Sequence, residues 1–367
     1  MRIILLSLIT IGLAFAEDIR LPDQARYRTV KDFGAIGDGV HDDTEALRRA
    51  IQGTGLLYIP NGTYLISEPL RVPERKGSAP ARRILQGQSR AGTIIKLKDG
   101  SSAFADPKNP KPVFQISWGI AQAFRNGMRN LTIDVGADNP GAIGCAFMAS
   151  NQGGMHHVTL TAGAGSGLRG LDLAVGDNGP LLINDLAVSG FKTGIYAKYG
   201  QSMTFEHITI KQAEVGIYNQ HSLIFARDVT IDASYVGING SSSSTLALID
   251  ARISNAQVAV SPQGGVFIRN LDATSCTAAI AESPEGPIII EWANQRRHLF
   301  EPTLEHSLRL PIVDTPDVPW GDPQAWQAPL ALQAKDDLRP DNWLKAYQNI
   351  VDSGAHTIYL PMGELRL

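Results

Sequence analysis

The chain has 367 residues, 43% of them hydrophobic, with 33 Lys plus Arg against 36 Asp plus Glu. So balanced a charge, with no basic run, argues against a nucleic-acid ligand. With 36 glycines and 21 prolines, the composition favours many tight turns over long helices.

Met1-Arg2, the apolar run Ile3 to Phe15 and the small-x-small end Ala14-Phe15-Ala16 have the layout of a secretory signal peptide over residues 1–16. About 13 apolar-rich residues are too few to cross a bilayer, so a secreted or periplasmic product is expected, free of the membrane once the signal is cleaved.

Val30 to Ile51 reads VKDFGAIGDGVHDDTEALRRAI. A short strand, glycine-permitted turns at Gly34, Gly37 and Gly39, and Asp42-Asp43-Thr44 capping a helix with Ala46, Leu47, Ala50 and Ile51 on one face are expected. Such a helix would cover the open end of a first coil. Leu56 to Ile66 then supplies strand, Pro/Gly turn and strand. These motifs, DFGAxGDGxxDDTxA followed by YIPxGTYLIS, resemble the start of the pectate-lyase-like superfamily domain shared by rhamnogalacturonase-like proteins, family 55 β-1,3-glucanases and phage tailspikes. The resemblance implies a right-handed single-stranded parallel β-helix that acts on or binds polysaccharide.

The stretch from Leu181 to Glu282 shows the repeat itself. Asp185-Leu186-Ala187-Val188, His207-Ile208-Thr209-Ile210 and Asp228-Val229-Thr230-Ile231 recur every 21 or 22 residues, as do Gly194-Ile195-Tyr196, Gly216-Ile217-Tyr218 and Gly237-Ile238-Asn239. Three strands per period, each too short to be stable alone, imply an all-β solenoid that gains a core by stacking coil on coil. Leu186, Ile208 and Val229 should form one inward ladder, and Val188, Ile210 and Ile231 another. Asn130-Leu131-Thr132-Ile133 and His157-Val158-Thr159-Leu160 extend the pattern at a longer spacing. Cys145 and Cys276 fall about six coils apart, roughly 25 Å, too far for a disulfide.

The repeat occupies residues 17–294. Residues 295–340 carry seven prolines and read as a linker, and residues 341–367 read as a helix and the start of a second β-helix, since Tyr359-Leu360-Pro361-Met362-Gly363 echoes Tyr58-Ile59-Pro60-Asn61-Gly62. Tandem β-helices joined by a linker are the layout of the family 55 glucanases. By that resemblance the chain is an N-terminal half, inactive alone, whose acid carboxylate would lie in the second helix.

The outward column Asn130, His157, Asp185, His207, Asp228 alternates imidazole and carboxylate. Asp185 and Asp228 would stand about 9.6 Å apart, near the separation of the two acids in inverting glycosidases, which makes Asp185, Asp228, His157 and His207 the catalytic candidates. A solvated column that only supports stacking is the competing reading. Trp292, Trp320 and Trp326 are candidates for stacking on sugars, or for packing the linker against the first helix. Arg71-Val72-Pro73-Glu74-Arg75 is similar to the Arg-x-Pro-x-x-Arg of pectate lyases but one residue short. No cofactor or metal is implied. The function expected is a secreted glycoside-hydrolase-like protein for a β-glucan or pectin-like polysaccharide, with a non-catalytic binding or structural β-helix, or a polysaccharide lyase, as alternatives.

Overall fold

The computed structural model describes residues 18–21, 27–72, 81–116, 122–294, 310–315, 340–354 and 358. Its core is a stack of parallel coils, each turning through three sheet faces.

The first face carries Gly55–Ile59, Arg83–Gly87 and the leading halves of the strands that begin at Gly127, Gly153, Leu181, Thr245 and Gly265. The second face carries Gly62–Ile66, Thr93–Leu97 and the trailing halves of those same strands. On the third face Lys111–Gln115, Ala142–Ala146, Arg169–Asp172 and the start of Thr193–Gly240 pair in sequence, and the end of Thr193–Gly240 pairs with Val258–Ser261, which pairs with Ala278–Ile280. All of these pairings are parallel. The exception is Ile288–Ala293, which lies antiparallel on Gly265–Ser275 and covers what would be an open edge.

The ladders expected from the repeat are present. Leu186 pairs with Ile208 and Val188 with Ile210, while Val229 pairs with Ala251 and Ile231 with Ile253. Leu186, Ile208, Val229, Val188, Ile210 and Ile231 are all at most 2% exposed and belong to one continuous core. At about 1.5 to 3 kcal/mol per buried aliphatic side chain, each rung holds its neighbours in register.

Helix α1, Thr44–Ala50, buries Ala46, Leu47 and Ala50 in the same core, with Ile51 just beyond its end. The two acids before it divide the work differently from a simple cap. Asp42, one residue before the N-cap, accepts from the Thr44 N–H at 3.0 Å, and the expected side-chain cap on the helix is not made, because the N-cap residue Asp43 faces the other way. Asp43, fully buried at the N-cap position, turns back to accept from the N–H groups of Ile36 (2.6 Å) and Gly37 (2.8 Å). Gly37 has φ +69° and a Cβ there would meet the Tyr64 ring at 2.8 Å, so the GDG turn admits glycine for two reasons.

Cys145 and Cys276 are free. Helix α2, Pro340–Asp352, forms where the sequence places one. The signal-peptide stretch, Pro73 to Arg75, the echo at Tyr359 to Gly363, Trp320 and Trp326 lie outside the described residues. No helix among the described residues is long and apolar enough to cross a membrane.

Candidate functional site

The outward column is a backbone feature before it is a chemical one. Asn130, His157, Asp185, His207, Asp228, Asp250 and Asn270 all have positive φ, between +51° and +58°. They form the corner at which each coil bends from the first face to the second, for the residues before and after them pair on different sheets: Arg129 with Gln86 of one, Thr132 with Ile94 of the other. A left-handed corner tolerates Asn, Asp and occasionally His because their short polar side chains bond locally, and it rejects β-branched residues. This accounts for the residue types of the column, and Asp250 and Asn270 extend it two coils beyond the positions picked out from the sequence.

Within the column the side chains pair along the stack. His157 Nδ1 lies 2.8 Å from Asp185 and His207 Nδ1 lies 2.6 Å from Asp228. Arg90, from the loop between two strands of an earlier coil, reaches across. It donates to Asp185 (2.8 Å), to the Thr159 hydroxyl (2.7 Å) and to the Val158 carbonyl (2.9 Å). Burial by itself would push the Asp185 carboxyl up, but the His157 hydrogen bond and the Arg90 charge outweigh it and hold it down to about 2. A group ionised throughout the physiological range does not serve as a general acid. Asp185 and Asp228 stand two rungs apart, roughly 9.6 Å, with His207 on the rung between them.

Further along, the corner opens into a groove of about 490 Å³. Its floor is Asp228, Asp250 and Asn270, one side is Arg252 and Asp272, and the terminal antiparallel strand raises Ile288 and Ile290 as a wall. Ile288 and Ile290 are each 54% exposed. Asn270 donates to Asp250 at 2.8 Å. Asp272 is held below the usual carboxylate range by the Thr274 backbone N–H and hydroxyl, with the Arg252 charge assisting. The result is an open strip of carboxylates and amides repeated once per coil, with an apolar lip. Sequence reasoning stopped at Asp228; Asp250 and Asn270 also precede apolar-polar-apolar triplets, Ala251-Arg252-Ile253 and Leu271-Asp272-Ala273, and the polar residue ahead of that alternation was the available signal.

Trp292 is half-buried against the core and pairs with Ile268 on the last coil, close in sequence to the Ile288–Ile290 wall. Among the described residues no three His, Cys, Asp or Glu side chains converge as metal ligands.

Relatives agree with this architecture. Over 268 residues the chain is 28% identical to a glucan 1,3-beta-glucosidase of Cochliobolus carbonum, a match covering 64% of the chain and 33% of that protein. Over 115 residues it is 33% identical to the mannuronan C5-epimerase AlgE5 of Azotobacter vinelandii, covering 30% of the chain and 11% of the epimerase. The chain thus spans a third or less of the length of these relatives. Among solved structures, the phiAB6 tailspike, crystallised with oligosaccharides of Acinetobacter baumannii surface polysaccharide, superposes with a TM-score of 0.53 at 15% identity, over 69% of this chain and 48% of the tailspike, a likeness of fold. Residues 27–239 match the family model described as rhamnogalacturonase A/epimerase, pectate lyase-like. That match takes in α1 and the coils through the third-face strand ending near Gly240, more than half the sequence, and the chain belongs to this family.

Proposed function

We propose that this chain is an exported, carbohydrate-active β-helix that binds a polysaccharide lengthwise along the left-handed corner, from His207 to Asp272. The observation that carries this reading is the groove floor: Asp228, Asp250 and Asn270 recur once per coil on an open surface. A solenoid presents equivalent hydrogen-bonding groups at intervals of about 4.8 Å, and a polymer with its own repeat is the ligand able to use them in succession.

Binding is favoured over hydrolysis by this chain alone. Asp185 is ionised and locked by Arg90 and His157, and His207 occupies the rung between the two carboxylates proposed from sequence. In a tandem protein, as the similarity to a glucan 1,3-beta-glucosidase about twice as long suggests, the corner groove would form one wall of a cleft and the second helix would bring the acid. Export, and a β-glucan or pectin-like polymer as ligand, belong to the same proposal.

Affinity electrophoresis through gels containing laminarin or polygalacturonate tests it. The chain should be retarded in at least one. The double variant Asp250→Gly with Asn270→Gly, which keeps the left-handed backbone but deletes the side chains, should migrate freely. Equal retardation of both proteins, or none of either, would contradict the assignment.

A further inference from the structure

Beside the corner, on the first face, runs the outward row Asn184, Glu206, Arg227, Ile249 and Arg269. Asn184 pairs with Glu206, Arg227 with Ile249 and Ile249 with Arg269, and the 21-residue period sets Arg227 one rung above Glu206. Segment 310–315 lies along this row, crossing the strands rather than joining them. The Leu310 carbonyl accepts from Arg269 at 3.2 Å, the Asp314 carboxylate sits on the Arg227 guanidinium and 3.3 Å from His207 Nε2, and the Thr315 hydroxyl donates to Glu206 at 3.1 Å. From Glu206 to Arg269 is three rungs, roughly 14 Å, and five extended residue steps span up to about 17 Å. The segment is therefore stretched along the stack axis, the direction in which a glycan would run.

Three features mark Arg227 as a binding group. With segment 310–315 seated on it, its side chain is only 17% exposed, and among the described residues its Nε has no hydrogen-bond partner and its ion-pair partner is Asp314. A guanidinium so far removed from water needs a counter-charge, and among the described residues Asp314 is the acid in ion-pairing contact with it, although Glu206 stands one rung away. The segment that carries Asp314 is lightly attached. Leu310 and Val313 are 64% and 84% exposed, so little apolar burial holds it.

We propose that Arg227 and His207 form a carboxylate-binding site which the chain's own Asp314 keeps closed, and that its external ligand is a carboxylate-bearing sugar residue of an acidic glycan. The inference rests on the polysaccharide reading and narrows it. Asp314 stands where the sugar acid goes. A tethered occupant competes at an effective concentration in the millimolar range and lowers the apparent affinity by the fraction of sites it fills.

Calorimetric titration of the full chain with oligogalacturonate and with neutral laminari-oligosaccharide separates the possibilities. Asp314→Asn should bind oligogalacturonate about tenfold more tightly than the parent while its affinity for the neutral oligosaccharide stays within about twofold. Adding Arg227→Gln should erase the gain. Should that double variant fail to fold by circular dichroism, the acidic-to-neutral contrast of Asp314→Asn alone decides. An oligogalacturonate affinity unchanged by Asp314→Asn, or an equal gain for both sugars, overturns the inference and leaves the polysaccharide reading intact if either sugar binds. Absence of binding to both sugars in every variant overturns both.

Discussion

His157 Nδ1 meets the Asp185 carboxylate at 2.8 Å across one coil of the stack, and Arg90 takes the other oxygen of that carboxylate at the same distance. The carboxylate ties three coils together, and what holds it ionised is also what makes it stabilise the fold. Its pKa, usually 3.8, lies at about 2 in the folded chain. A depressed carboxylate pKa stabilises above the unfolded value, and the contribution disappears as pH falls through the folded one. Asp185 should therefore contribute on the order of 1 to 2 kcal/mol above about pH 4, after allowance for partial exposure, and progressively less between pH 4 and pH 2. Urea unfolding of the parent and Asp185→Asn at pH 5.5 and at pH 2.5 checks this. The gap between the two proteins should be wide at the higher pH and narrow at the lower.

The corner makes a second prediction, about backbone rather than charge. Asp250 has φ +55° and is exposed, so its side chain does little packing. Asp250→Gly should unfold within about 0.5 kcal/mol of the parent, whereas Asp250→Val should lose about 1 to 2 kcal/mol, the cost of a β-branched residue in the left-handed region. Denaturant midpoints of the two variants give the order directly, and a Val variant as stable as the Gly one would remove the conformational explanation of the column.

Asp43 is expected to behave as a structural acid. Fully buried and accepting from Ile36 and Gly37, it closes the loop from which α1 departs. Asp43→Ala should cost about 2 to 4 kcal/mol by leaving two amides unsatisfied, against less than about 0.5 kcal/mol for Glu68→Ala at an exposed position. Thermal melts of both variants make the comparison.

Thiol chemistry reports on the stack independently. Burial pushes the Cys145 thiol well above its ordinary range, and burial raises Cys276 as well, although that thiol is partly exposed. In native buffer a chromogenic disulfide reagent should leave Cys145 unmodified, and in denaturant both thiols should react. Rapid native labelling of Cys145 would mean that the third-face strand Ala142–Ala146 is not in the core.

The ladders were legible in the sequence because stacking repeats the chemistry of a position: Ile208 resembles Leu186 and Val229 because all three meet the same interior. The meaning of the corner was harder to read. Asp185, His207 and Asp228 suggest acid-base chemistry as a string of letters, yet the same letters are what a left-handed bend selects, and only the dihedral angles separate the two. Arg90 was missed because it reaches Thr159 and Asp185 from a loop whose sequence has no period. The same holds for Asp314, whose segment belongs to a proline-rich run with no pattern tying it to any coil. Side chains delivered by irregular loops leave no periodic trace, and in this protein they supply the charges that surround the regular column.

Hydroxyl-radical footprinting of the full chain with and without saturating polysaccharide tests the central assignment most directly. Binding along the corner should slow the labelling of His207, Ile288 and Ile290 while Tyr199 and Tyr235, exposed elsewhere on the stack, keep their rates. Protection of Tyr199 or Tyr235 with none at His207, Ile288 and Ile290 would place the glycan on another face and contradict the account.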